Sequence, residues 1–210
     1  MPYLQPKTSG VFGFMPYGSP YTAAVATWYA VSSSEGQISA GDVVVLSTIP
    51  GGSLPTVRGI VAGAGVWTTG ILGVAAQSLP ANGGSTSATL NSNTTQLILV
   101  YDDPNQLYVV SDQASSASGF LQSSQSGQSV SVLATGGLGS SGAFGPISGQ
   151  SAFMARSNQV ISGGTTGILG PFKLLYLHPI DQATSSGTGR KWVVSVNLAT
   201  RTQGITIFTT

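Results

Sequence analysis

Apolar residues in this chain arrive in short runs rich in valine, isoleucine and leucine, each closed off by glycine, proline or a Ser/Thr cluster. Val43-Val44-Val45-Leu46 follows Gly41-Asp42, residues 96–101 read QLILVY, and residues 171–177 read PFKLLYL. Nowhere do apolar residues recur at helical spacing over three turns. Runs of about four to eight such residues, bounded in this way, read as strands. Strands at close spacing with no helices between them predict an all-β chain, a small β-barrel or β-sandwich of about 8–10 short strands.

Further strands are expected over 58–67, 70–76, 107–110, 130–133, 152–154 and 191–198. Residues 203–208 alternate Ile205 and Ile207 with threonine, as a half-buried strand does. Between QLILVY and Leu107 stands Asp102-Asp103-Pro104-Asn105. Proline presets φ there and the Asp and Asn side chains bond their own backbone, so a turn joining a hairpin is expected. Residues 79–93 and 136–150 read as turn and loop, and 114–128 admit one helical turn near Phe120-Leu121.

Residues 1–34 differ from the rest. Pro2, Pro6, Pro16 and Pro20 are interleaved with Tyr3, Phe12, Phe14, Tyr17 and Tyr21. Proline at that density disfavours a helix and favours extended backbone, so an N-terminal arm is expected. Its aromatics need burial, either on this chain's own barrel or on a neighbour. Those five are the candidate neighbour-contact residues. Residues 21–31 are also compatible with a short helix, although β-branched and aromatic side chains weigh against it. The expected organisation is an arm over 1–34 and a barrel domain over 35–210, with a Gly/Ser-rich loop region at about 112–160.

Composition narrows the function classes. Charged residues make up 6% of the 210, against roughly 25% in an average domain, while glycine alone contributes 29. Seven basic side chains are spread from Lys7 to Arg201, with one adjacent pair, Arg190-Lys191. Clustered cations that neutralise phosphates are missing, which argues against nucleic acid as a partner. A net charge of +1 leaves little repulsion between copies and favours association. With no cysteine, disulfides and thiolate metal sites are excluded. The most apolar window, residues 60–76, holds four glycines and fits two strands better than a membrane helix of about 20 residues. No leader pattern is visible in MPYLQPKTSG, so synthesis in the cytoplasm is expected, with the protein staying soluble or being assembled there.

Catalysis needs titratable groups brought together, and the inventory is one histidine and six acids. His178 has Asp181 three residues on, but no serine sits in a Gly-x-Ser-x-Gly elbow, and a strand-end role is expected for it. Asp102 and Asp103 are adjacent, which on a strand points them to opposite faces. Residues 137–142 match the letters of a dinucleotide fingerprint, without the following helix or acid that give it meaning. One histidine and scattered acids supply no metal site, and no cofactor is expected. The sequon at Asn93 has no secretory context. Trp28, Trp67 and Trp192 are expected in core or interface.

Four phrases carry a resemblance: GDVVVLS (41–47), GILGVAAQSLPANGG (70–84), QLILVYDDPNQLYVV (96–110) and PFKLLYLHPIDQATSSGTGRKWVVSVN (171–197). In spacing and wording they are similar to tailed-bacteriophage head decoration, or capsid cement, proteins. Residues 73–76, 100–106 and 171–197 are the strongest pieces, and the similarity spans roughly 41–110 and 154–196. The chain departs from the pattern in its charge-poor 112–160 stretch and in its first 35 residues. The resemblance implies a small barrel clamped on the outer capsid surface, commonly as trimers, partnered with the major capsid protein and with itself, and without catalytic residues. A tail, neck or fibre-associated virion protein is the nearest alternative. A carbohydrate-binding β module, with exposed aromatics on one face, is the alternative of another class.

Overall fold

The run Val43-Val44-Val45 is apolar at every position because its strand lies between two cores. The structure, a computed structural model, describes residues 13–18, 24–31, 38–47, 56–59, 71–79, 96–112, 123–134, 151, 153–161, 170–179 and 190–197. Among them are eleven strands: β1 (Met15–Tyr17), β2 (Thr27–Val31), β3 (Val43–Ser47), β4 (Thr56–Gly59), β5 (Ile71–Ala75), β6 (Leu97–Tyr101), β7 (Leu107–Ser111), β8 (Ser129–Ala134), β9 (Phe153–Ile161), β10 (Phe172–Leu177) and β11 (Lys191–Val196). A 3-10 turn spans Ser123–Gln125.

Five strands close a barrel in the order β2-β4-β3-β5-β6, and six form a sheet in the order β1-β7-β11-β10-β8-β9. Pairing is antiparallel except between β2 and β4, where Ala30 faces Thr56 and Val31 faces Val57. Ala155 of β9 also bridges to Asp112, just past β7, so the sheet curls back toward its own second strand. The all-β expectation of a small barrel or sandwich holds, with both architectures present in one chain.

Side-chain alternation explains how the two parts join. Val44, Leu72, Ala75, Ile98 and Val100 fill the barrel with Val31, Ile38 and Val57. Val43, Val45, Ile71 and Val74, from the same strands β3 and β5, point out of it. They pack against Phe14, Tyr108, Val110, Phe172, Leu174, Trp192 and Val194 on the inner face of the sheet. Phe14 stacks on Phe172 with ring centroids 4.3 Å apart and 20° between planes. Tyr108 meets both rings edge-on.

Several expectations are corrected. The 1–34 segment is not an arm throughout: β1 pairs with β7, β2 is a barrel stave, and Phe14 is fully buried. Thr27–Val31 is a strand rather than helix, because pairing it with β6 buries Ala30 and Val31. Residues 96–110 do not form a hairpin. β6 pairs with β2 and β5, β7 pairs with β1 and β11, and the turn between them is a corner from barrel to sheet. Within the 112–160 region β8 lies as expected, but β9 runs on to Ile161. Phe120-Leu121, the 136–150 loop and residues 203–208 lie outside the described residues.

Candidate interaction surface

A row of directly paired residues crosses the sheet face turned away from the core: Met15 in β1, Val109 in β7, Val193 in β11 and Tyr176 in β10. Their neighbours Tyr108, Val110, Trp192 and Val194 line the core side. Val109 and Val193 are nevertheless fully buried, so this outer face carries an apolar layer of its own. On the same face Tyr17 meets Tyr176 edge to face, with centroids 6.4 Å apart, and meets His178 at 5.5 Å. Tyr176 is 40% exposed. Burial, and after it the adjacent Tyr17 hydroxyl, push the Tyr176 phenol above its ordinary value.

His178 is buried at the end of β10, where its backbone N–H donates to the Lys191 carbonyl at 2.8 Å. That places it at a strand end, as expected. Asp181 lies outside the described residues, as do Tyr3, Phe12, Tyr21, Trp67, Asn93 and residues 137–142. Of the five candidate contact residues, Phe14 is corrected to a core residue of this chain, and Tyr17 is half-buried on the outer face. The two aromatics thus part company across β1, since they lie on opposite sides of it.

A second surface lies on the barrel. Trp28 pairs with Leu99 and Ala30 with Leu97, which puts Trp28 and Leu97 on the same outward face. Trp28 is 54% and Leu97 44% exposed, and Val25, just ahead of β2, is 62% exposed. Trp28 is therefore a surface residue rather than core, whereas Trp192 is fully buried. Nothing in the sequence separates them, because LILVY and TWYAV carry large side chains at both strand parities.

The adjacent carboxylates serve different ends. Asp102 accepts hydrogen bonds from the Tyr29 hydroxyl at 2.6 Å and the Thr27 hydroxyl at 3.0 Å, strapping β2 to the end of β6. Asp103 accepts the Asn105 N–H on its side chain at 2.8 Å and the Gln106 N–H on its carbonyl at 3.1 Å, which is the turn chemistry expected of it. Among the described residues no three His, Asp or Glu side chains gather where a metal ion could be held.

No protein-family model matches the chain, and no curated protein or solved structure matches it either. What can be said of function rests on composition, fold and the two surfaces.

Proposed function

We propose that this chain is a virion structural protein that decorates a phage capsid from outside, bridges neighbouring major capsid protein subunits, and cements the head against internal DNA pressure. The observation that carries the reading is a pair of surfaces, exposed Trp28 with Leu97 on the barrel and exposed Tyr176 beside half-buried Tyr17 on the sheet. A bridge needs two faces on one body, and a shared core joins these two. Tryptophan and tyrosine dominate the energetics of protein interfaces. An ordinary interface buries about 1,600 Å², and desolvating serine, threonine and glutamine opposes it less than desolvating ions. Repeated over many sites, modest contacts make rupture cooperative and rare. In this reading the protein is not an enzyme, needs no cofactor, and acts as a homo-oligomer, with the trimer implied by the resemblance.

The test adds purified protein to particles lacking it and follows their rupture on heating. Wild type is expected to bind and raise the rupture temperature, and Trp28→Ser and Tyr176→Ser to bind less. Purified virions devoid of the polypeptide would overturn the reading. Exposed Trp28 also favours a second reading, a carbohydrate-binding module. Glycan binding by the isolated protein, lost in Trp28→Ser, would select it.

A further inference from the structure

The turn Ser39–Asp42 binds four parts of the chain to one another. Its Asp42 N–H donates to the Ser39 carbonyl at 3.0 Å, and Gly41 has φ of 90°, a left-handed backbone that suits glycine in the third position of such a turn. Outward from the turn, Gly41 O accepts from Phe14 N–H at 3.0 Å, ahead of β1. Ala40 O accepts from Ser151 N–H at 3.3 Å, ahead of β9. Gly41 N–H donates to Ala75 O at 2.9 Å, and Ala75 N–H donates to Asp42 O at 2.8 Å, both in β5. Ala40 N–H donates to the Ser78 hydroxyl at 2.8 Å. Two segments leading into the sheet are thereby tied to two strands of the barrel.

A carboxyl group sits in this knot out of reach of water. Asp42 is 4% exposed; its Oδ2 accepts the Ser39 N–H at 2.7 Å and the Ser151 side chain hydrogen-bonds the carboxyl, while Oδ1 has no hydrogen-bond partner. The Ser39 hydroxyl, fully buried in the same turn, has none either. An ionised carboxylate with an unsatisfied oxygen is costly in such surroundings, whereas the neutral acid brings a donor to a site that has acceptors to spare. Among the described residues, those bonded to the turn, namely Phe14, Ala75, Ser78 and Ser151, carry no charge that would offset the ion.

We propose that this turn is a proton-operated clamp between barrel and sheet, closed with Asp42 protonated and loosened when Asp42 ionises. Burial raises the carboxyl from 3.8 to about 6, against the lowering effect of the Ser151 side chain and the Ser39 N–H. Because the folded value lies above the unfolded one, the stability that protonation confers is complete below about pH 4 and is lost as pH rises through about 6. The clamp stands independently of any role on a capsid.

The test compares wild type with Asp42→Asn, which keeps the shape without the charge, by denaturant unfolding between pH 4 and 7. Relative to the variant, the wild-type unfolding constant is expected to rise on the order of a hundredfold across that range. The Phe14 and Gly41 amide hydrogens are expected to exchange faster above pH 6 than the base-catalysed rate alone accounts for. Parallel pH profiles for the two proteins would overturn the proposal. Should the variant fail to fold, a carbon-13 titration of the wild-type Asp42 carboxyl decides: a midpoint near 6 supports the clamp, and one below about 4.5 overturns it.

Discussion

The Tyr108 hydroxyl donates a hydrogen bond to the Tyr101 carbonyl oxygen at 2.9 Å, across the corner where the chain leaves the barrel for the sheet. The ring of Tyr108 is fully buried in the core between the two, so the bond pins the last residue of β6 to the shared packing. Tyr108→Phe keeps the ring and removes the bond. The expected loss is about 1–2 kcal/mol of unfolding free energy with an unchanged denaturant slope. Denaturant titration checks both.

The same carbonyl fixes Gly73 on the adjacent strand, one residue before Val74, which pairs with Tyr101. A Cβ added at Gly73 would fall on the Tyr101 carbonyl oxygen. β5 approaches β6 here next to an irregularity in its register with β3. Gly73→Ala is expected to cost about 3 kcal/mol, because the obstacle is backbone and cannot swing aside as a side chain would. Thermal unfolding of the variant beside Ala75→Gly, at the next residue but one, separates this clash from general sensitivity of the strand.

Phe14→Ala is expected to destabilise by about 3–5 kcal/mol, since it empties a stacked position in the core. For the same reason deleting residues 1–20 removes β1 as well as Phe14, and the truncated chain is expected to unfold at low denaturant. Deleting residues 1–12 leaves both in place, and the difference between the two midpoints reads the contribution of Phe14 and β1. If the two truncations melt alike, β1 does not hold the sheet as described.

On the barrel surface, Trp28→Ser is expected to shift unfolding free energy by no more than about 0.5 kcal/mol, because the side chain is exposed. Any binding activity of the protein is expected to fall with it. A large stability loss instead would mean that Trp28 packs against its own chain.

Much of this fold is legible in the sequence, for a physical reason. Strands β3, β5, β7 and β11 are buried on both faces or nearly so, and continuous β-branched runs announce that, whereas β6 and β10 carry equally apolar runs although Leu97 and Tyr176 face outward. β9 is harder to see, because Arg156-Ser157-Asn158-Gln159 breaks the apolar run, and these residues fall in the irregularity of its ladder with β8, between Ala155 paired to Val132 and Val160 paired to Val130. β2 hides in an Ala/Val/aromatic segment that local propensity leaves undecided, and only its pairing with β6 and β4 settles it. Turn chemistry at Asp103 and Asn105 showed that the chain reverses, but not that the flanking strands take different partners. Of the residues on the candidate interaction surface, only Tyr17 stands among those singled out from the sequence. Phe14 and Tyr17 look alike in a Pro/aromatic stretch, and which face each takes is set by the pairing of β1 alongside β7. Asp42 gave no signal, since Gly-Asp before a strand usually marks a solvated turn.

Barrel closure has a consequence for how crowded copies meet. Because β2 and β6 bond to each other, that part of the molecule offers no open ladder onto which a stranger's backbone could zip. At one margin of the sheet the outermost strand is three residues long, and its middle residue, Pro16, has no N–H to donate. Packed at high density, neighbours that approach from these sides find little backbone to pair with and meet mainly through side chains, a kind of adhesion that dilution can undo.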